Sequence, residues 1–240
     1  MRIAFALLIV LVAVPATADD QSINADRPGI ADGSMTVGKG AFQIETGAER
    51  DDASHERDLS TPTLLRYGLA NDFELRVESE GYQRILDDGS GWAPVSIGFK
   101  SHFLEPDKAK HRPSLGIIGR VFVPSGSGEF RSHHTTGDLR LAADLDLDDQ
   151  WSVTPNAGVE FDDQHTAALA AMTIQYNITQ RLNVFVDGGY QSKPSSLLLD
   201  AGAAWIINPR TQLDFSIGWG AHGGDTPNVF WSAGISRSWR

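Results

Sequence analysis

Residues 212–220 read Gln-Leu-Asp-Phe-Ser-Ile-Gly-Trp-Gly, with Leu213, Phe215, Ile217 and Trp219 large and apolar and every other position polar or glycine. An extended chain turns successive side chains to opposite faces, so the alternation predicts a β-strand with one apolar and one polar side. The same period of two recurs along most of the chain, while the 3.6-residue period of an amphipathic helix is hard to find. It predicts strands at 41–51, 58–68, 73–83, 93–104, 113–123, 137–147, 151–161, 167–178, 181–191, 196–207, 211–221 and 228–239. That makes twelve segments, each of about ten residues. Their connections alternate in character. Those at 69–72, 148–150, 179–180 and 208–210 are tight, with a longer one at 105–112. Those at 52–57, 84–91, 124–136 and 222–227 are longer and more polar, with shorter ones at 162–165 and 192–195.

Splitting each strand by parity gives two faces. One carries Leu75, Val77, Ile97, Phe99, Leu139, Leu141, Val184 and Val186, and is nearly free of charge. The other carries Glu45, Glu49, Arg66, Glu74, Arg76, Glu78, Glu80, Lys100, Arg120, Arg140, Asp144, Asp146, Glu160, Asp187, Asp200 and Asp214. Alternation alone does not say which face is inside. A soluble barrel or sandwich buries the apolar face, and a membrane barrel turns it outward to lipid. Aromatic placement separates the two. On the apolar face, Tyr67, Phe73, Phe103, Trp151, Tyr176, Trp205 and Trp239 fall beside the short connections, and Phe161, Tyr190, Trp219 and Trp231 toward the long ones. Two aromatic girdles around a Leu/Val/Ile/Ala band are the pattern of a membrane barrel. The expected fold is therefore all-β: an antiparallel transmembrane β-barrel of about 12 strands over 41–240, with a soluble secreted β-protein as the alternative.

Composition narrows the compartment and the partners. Arg2, an apolar run over 3–14, and Ala16-Thr17-Ala18 before Asp19 predict a secretory signal peptide over 1–18, cleaved after Ala18. A segment at 19–40 then precedes the first strand on the periplasmic side, either hanging free or folded into the barrel mouth. The formal net charge of −11 argues against nucleic acid, which wants clustered Lys and Arg. With no cysteine, neither a disulfide nor a thiolate metal site is available. No later segment is long and apolar enough for a membrane helix, a test that does not bear on strands.

Asp26-Arg27-Pro28-Gly29, Phe42-Gln43-Ile44-Glu45-Thr46-Gly47, the hairpin Thr63-Leu64-Leu65-Arg66-Tyr67-Gly68-Leu69 into Phe73-Glu74-Leu75-Arg76-Val77, and Asn208-Pro209-Arg210-Thr211-Gln212-Leu213-Asp214 are similar to turn and strand motifs of one bacterial family. It is the outer-membrane transporter family of the phenol meta-degradation pathway. The resemblance covers nearly the whole mature chain and implies an outer-membrane barrel that is a channel for small organic compounds. It assigns no catalytic or binding residue. Strands of this kind commonly end on an aromatic residue, whereas this chain ends Ser238-Trp239-Arg240.

The inward charges are the candidate functional residues. Arg66, Glu74, Arg76, Glu78, Glu80, Lys100, Arg120, Arg140, Asp144, Asp146, Asp187, Asp200 and Asp214 are expected to line the lumen. Neighbouring strands would set Glu74, Arg76, Glu78 and Glu80 against Arg66 and Lys100 as a ladder of opposite charges, and the excess of acids would favour cations. A channel for passive passage of small organic solutes or ions needs no cofactor and no metal. Its expected partners are outer-membrane lipid, the solute and the outer-membrane assembly machinery. The alternative is a barrel filled by its own salt bridges, with a structural role. Metal binding by His133-His134, or by Asp144/Asp146 with Asp148 and with Arg140 as competing partner, carries little weight. Gly126-Ser127-Gly128 lacks the ending of a phosphate loop. A lipid-acting enzyme is the remaining class. His102 has no nearby apolar-face serine motif, and His165 beside Asp162-Asp163 has no Gly-x-Ser-x-Gly.

Overall fold

The computed structural model describes residues 22–53, 57–86, 88–162, 165–223 and 226–240. The expected signal peptide lies outside the described residues. The strands are β1 (Phe42–Asp52), β2 (Arg57–Ser60), β3 (Thr63–Ala70), β4 (Phe73–Ser79), β5 (Tyr82–Ile85), β6 (Ser90–Trp92), β7 (Ser96–Leu104) and β8 (Ser114–Phe122). They continue as β9 (Thr136–Asp146), β10 (Trp151–Phe161), β11 (Thr166–Asn177), β12 (Leu182–Ser192), β13 (Ser195–Asn208), β14 (Thr211–His222) and β15 (Val229–Trp239). Each wall strand pairs antiparallel with the next, and β15 pairs with β1 from Phe42↔Trp239 to Asp52↔Val229. The sheet is thus closed into a barrel of twelve strands, leaving no edge in the wall.

The three short strands account for the difference between the fifteen elements and the twelve expected. The alternation at 58–68 runs on through Pro62, but proline has no N–H for the ladder, and the strand divides there into β2 and β3. The alternation at 73–83 is interrupted by Gly81, whose φ of 70° only glycine takes up readily. Beyond it, β5 and β6 form a hairpin that continues past the wall, with β5 pairing β2. The 124–136 loop leans on this hairpin: Ser127 N donates to Trp92 O at 2.9 Å and Trp92 N to Ser127 Oγ at 3.1 Å. At the short-turn end, the exposed Asp148 carboxylate accepts the N–H groups of Trp151 and Gln150, which closes the turn and holds the carboxyl below its ordinary range.

Burial is inverted relative to a soluble core. Ile97 is 58 % exposed and Val186 54 %, whereas Arg66, Glu74 and Lys100 are fully buried. Strand alternation therefore turns the apolar face outward, as a closed barrel surrounded by hydrocarbon requires. Aromatic pairs sit at both rims of the outer face. Phe42 packs on Trp239 (5.9 Å) and Trp151 on Tyr176 (4.8 Å) at the short-turn rim, and Tyr82 on Trp92 (5.6 Å) beyond the loop rim.

Candidate functional site

The stretch at 22–41 has no helix or strand of its own, yet Ile23, Ala31, Asp32, Ser34, Val37 and Ala41 are buried. It occupies the barrel interior. A buried peptide without secondary structure must find acceptors for its amides elsewhere, and the wall supplies them. Arg27 N donates to Glu45 Oε2 at 2.9 Å, Ile30 N to Asp187 Oδ2 at 2.7 Å and Asp32 N to Asn156 Oδ1 at 2.9 Å. Ser34 N donates to Asp144 Oδ2 at 2.8 Å and Val37 N to Glu74 Oε2 at 2.7 Å. Of the two possibilities for 19–40, the described part is folded in.

Its charged side chains reach opposite walls. Both Asp26 carboxylate oxygens lie 2.8 Å from Lys100 Nζ; Oδ2 is also 2.6 Å from Arg76 Nη1 and 3.5 Å from Arg66 Nη1. Asp32 lies 3.1 Å from Arg76 Nη2 and 3.7 Å from Arg140 Nη1. Arg27 points the other way, donating to Asp214 Oδ1 at 3.1 Å and Ser232 Oγ at 2.8 Å. Ser34 Oγ contacts Ser114 Oγ at 2.5 Å and Asp144 Oδ2 at 2.6 Å.

The wall is shaped for this peptide. Gly47 and Gly234 stand opposite each other on β1 and β15, and a Cβ on Gly234 would collide with the Arg27 guanidinium. A Cβ on Gly116 would come within 2.5 Å of Ser34 O, and one on Gly189 within 2.6 Å of Ile30. Inward glycines therefore stand where the peptide approaches the wall most closely.

The structure buries Arg66, Glu74, Arg76, Lys100, Arg120, Asp187, Asp200 and Asp214 inside the barrel. Glu78 and Arg140 are partly buried there, and Glu80 lines the cavity toward the loops. Arg66 grips Glu74 through Nε at 2.8 Å and Nη2 at 3.1 Å, and Glu45 through Nη1 at 2.9 Å. Lys100 is the Cα partner of Glu74, but its ammonium turns to Asp26. The expected ladder thus has at its centre an acid from outside the strands. Asp144 and Asp146 do not take Arg140 as partner. Asp144 accepts from Ser34 and Thr154, Asp146 faces Lys108 at 3.2 Å near the short-turn rim, and Arg140 pairs with Asp138 at 2.9 Å.

Sequence reading missed Asp26, Arg27, Asp32 and Ser34, and also Asp138, which bridges Arg120 and Arg140. Asp138 shares the parity of Arg140 and was open to the same test; the others lie in a stretch without periodicity. The charges are also segregated in a way a simple count conceals. Arg66, Arg76, Lys100, Arg120 and Arg140 come from β3, β4, β7, β8 and β9, whereas Asp187, Asp200 and Asp214 come from β12, β13 and β14. Glu74, Glu78 and Asp138 stand among those cations, so the two sides of the lumen differ in the bases they carry, and the expected excess of acids is unevenly spread.

Two of the cavities beside the peptide lie on either side of residues 26–29. One of about 460 Å³ opens toward the long loops, with Glu49, Asp51, Glu80 and Arg120 in its wall. One of about 380 Å³ opens toward the short turns, with Asp144, Ser152, Gln175 and Asn183. Asp26, Arg27, Pro28 and Gly29 belong to the lining of both, so this stretch is what parts them.

Comparison with known proteins agrees with this architecture. A family model described as "Putative MetA-pathway of phenol degradation" matches residues 25–239. No curated protein matches the sequence. Among solved structures, the COG4313 outer membrane channel from Pseudomonas putida F1 is 14 % identical, with a TM-score of 0.69 over 86 % of this chain and 98 % of that one. The KdgM porin is 12 % identical with a TM-score of 0.61, covering 82 % of this chain and 99 % of its own. The NanC porin is 9 % identical with a TM-score of 0.54, covering 83 % and 99 %. At these identities the likeness is one of fold.

Proposed function

The chain belongs to the phenol-degradation family whose model spans it, and on that premise we propose that it is a passive outer-membrane channel for small solutes, held closed by residues 22–41. The observation that carries the reading is the lumen itself. It is polar, it has a cavity on each side, and what divides them is a peptide that runs into β1 at Phe42 but forms no strand of its own and is held largely by wall side chains. The names of similarly folded proteins, an outer membrane channel and two porins, point the same way. The outward Leu, Val and Ile band contacts lipid, and the assembly machinery of that membrane would insert the barrel. Passage down a gradient asks for no cofactor.

Catalysis finds little support at His102, whose ring lies beside a serine. His102 Nε2 lies 2.8 Å from Leu104 O and 3.1 Å from Ser114 Oγ. A carbonyl can only accept, so the contact to Leu104 O is a hydrogen bond only in the Nε2–H form, in which Nε2 is not a base toward Ser114. His165 meets Asp162 in an exposed loop, His133 is exposed in another, and Asp163 lies outside the described residues.

The test uses the absence of native cysteine. Ser34→Cys with Ser114→Cys places two thiols where hydroxyls already touch. In planar bilayers the reduced mature chain is expected to show current steps, the oxidised chain to be silent, and reductant to restore the steps. Silence in both redox states, and also after Gly234→Ala crowds Arg27, would leave a permanently filled barrel with a structural role.

A milder perturbation should give a graded result. Gly234→Ala meets only the flexible end of Arg27, so the wall should fold normally while the peptide loses purchase. Its open probability is expected to exceed that of the parent chain. An unchanged open probability would mean that Arg27 does not hold the gate.

A further inference from the structure

Around Asp26 the wall is built to hold a carboxylate. Three cationic side chains, Arg66, Arg76 and Lys100, converge on one carboxyl group, and all three are 2 % exposed or less. Arg76 offers Nη1 to Asp26 and Nη2 to Asp32, so two carboxylates sit side by side on one guanidinium. Wall carboxylates meet the arginines but not the lysine: Arg66 pairs with Glu45 and Glu74, Arg76 with Glu74 at 3.4 Å, Arg120 with Glu78 and Asp138, and Arg140 with Asp138. Among the described residues the Lys100 ammonium pairs only with Asp26 of the peptide. The peptide supplies two carboxylates, Asp26 and Asp32, at that place. If the peptide withdraws, both carboxylates go with it. The vacated lumen then presents clustered cations to water without their carboxylates, so the withdrawn state favours whatever anion can replace them.

Accepting the channel reading above, we propose that the Asp26/Asp32 seat is a binding site for a small organic dicarboxylate. Such a solute competes with the peptide's own two carboxylates and so opens the barrel to itself. Arg76 is the central ligand: its two nitrogens take one carboxylate each, while Lys100 and Arg66 close on the first. A planar fork suits carboxylate geometry, and the Lys100 ammonium adds a point charge. No new bond is made; one pair of carboxylates exchanges for another. Because the ligand binds only the withdrawn state, it shifts the closed–open balance by its affinity for that state alone. The loop-side cavity, which reaches Asp26, Asp32, Arg76 and Arg120, is the route of approach.

The test reads release of the peptide in the wild-type chain in lipid vesicles, with malonate as probe. Amide hydrogen exchange is followed at 22–41, where Arg27, Ile30, Asp32, Ser34 and Val37 are held by wall side chains. Saturating malonate should speed exchange there by on the order of tenfold, the usual size of coupling between two ligands, and leave the wall strands unchanged. Malonamide and sodium chloride at matched ionic strength should do nothing. Labelling of a Ser34→Cys chain by a thiol reagent should rise in parallel, and Lys100→Met should blunt both responses. No acceleration by malonate, or equal acceleration by sulfate, overturns the dicarboxylate assignment. Current recorded in the same membranes keeps the two readings apart. Conductance without a malonate response removes this inference and leaves the channel. A malonate response in a barrel that never conducts keeps the binding site and removes passage.

Discussion

Replacing Asp26 with alanine is expected to free residues 22–41 from the barrel while leaving the barrel intact. The carboxylate lies within 3.5 Å of Arg66, Arg76 and Lys100. Removing one partner from a buried ionic cluster costs about 3–5 kcal/mol, because the others remain as uncompensated charge. That cost falls on the docked state, since an undocked peptide lets water reach the cations. A penalty of that size moves the docking equilibrium by a factor of at least about a hundred. Hydrogen exchange should show protection lost across 22–41 and kept in the wall strands, and bilayer recordings should show long-lived openings. Unchanged protection would mean that the hydrogen bonds from Arg27, Ile30 and Ser34 hold the peptide without help from Asp26.

The second large effect is expected on the outer surface. Val186, 54 % exposed near the middle of β12, lies at the depth where an ammonium is most costly. Val186→Lys should destabilise the barrel in lipid by about 2–4 kcal/mol, whereas Leu147→Lys, at the short-turn rim, should cost about 0–1 kcal/mol. Denaturant unfolding from vesicles measures both. Equal losses at the two positions would be inconsistent with lipid against this face, because a depth gradient is the mark of a bilayer.

The wall was largely legible in the sequence because a period-two pattern is a local signal. β10 was expected at 151–161 and runs Trp151–Phe161. The exceptions are at Pro62 and Gly81, where alternation continues in the sequence but the backbone leaves the ladder. Which polar side chains face inward also followed from parity. Which of them touch did not, as Lys100 shows: its Cα faces Glu74 and its charge goes to a residue 74 positions earlier. The interior peptide carries no period to read. Its conformation is dictated by wall groups scattered from Glu45 to Ser232, so nothing within 22–41 announces it except the charges of Asp26-Arg27 beside Pro28-Gly29.

The glycine pair Gly47/Gly234 has a consequence for the birth of the barrel. The two residues lie on β1 and β15, the first and last strands, and face each other only in the register Phe42↔Trp239. A slip of one residue there would turn every side chain of one strand through the wall, and the recess for Arg27 would vanish. Arg27 engages Glu45 on β1, Asp214 on β14 and Ser232 on β15 across that joint, at separations of up to 205 residues. The beginning of the chain can therefore lodge only after the end has arrived in the right place. The same arginine that rests in the closed gate certifies that the cylinder has been sealed along its proper seam.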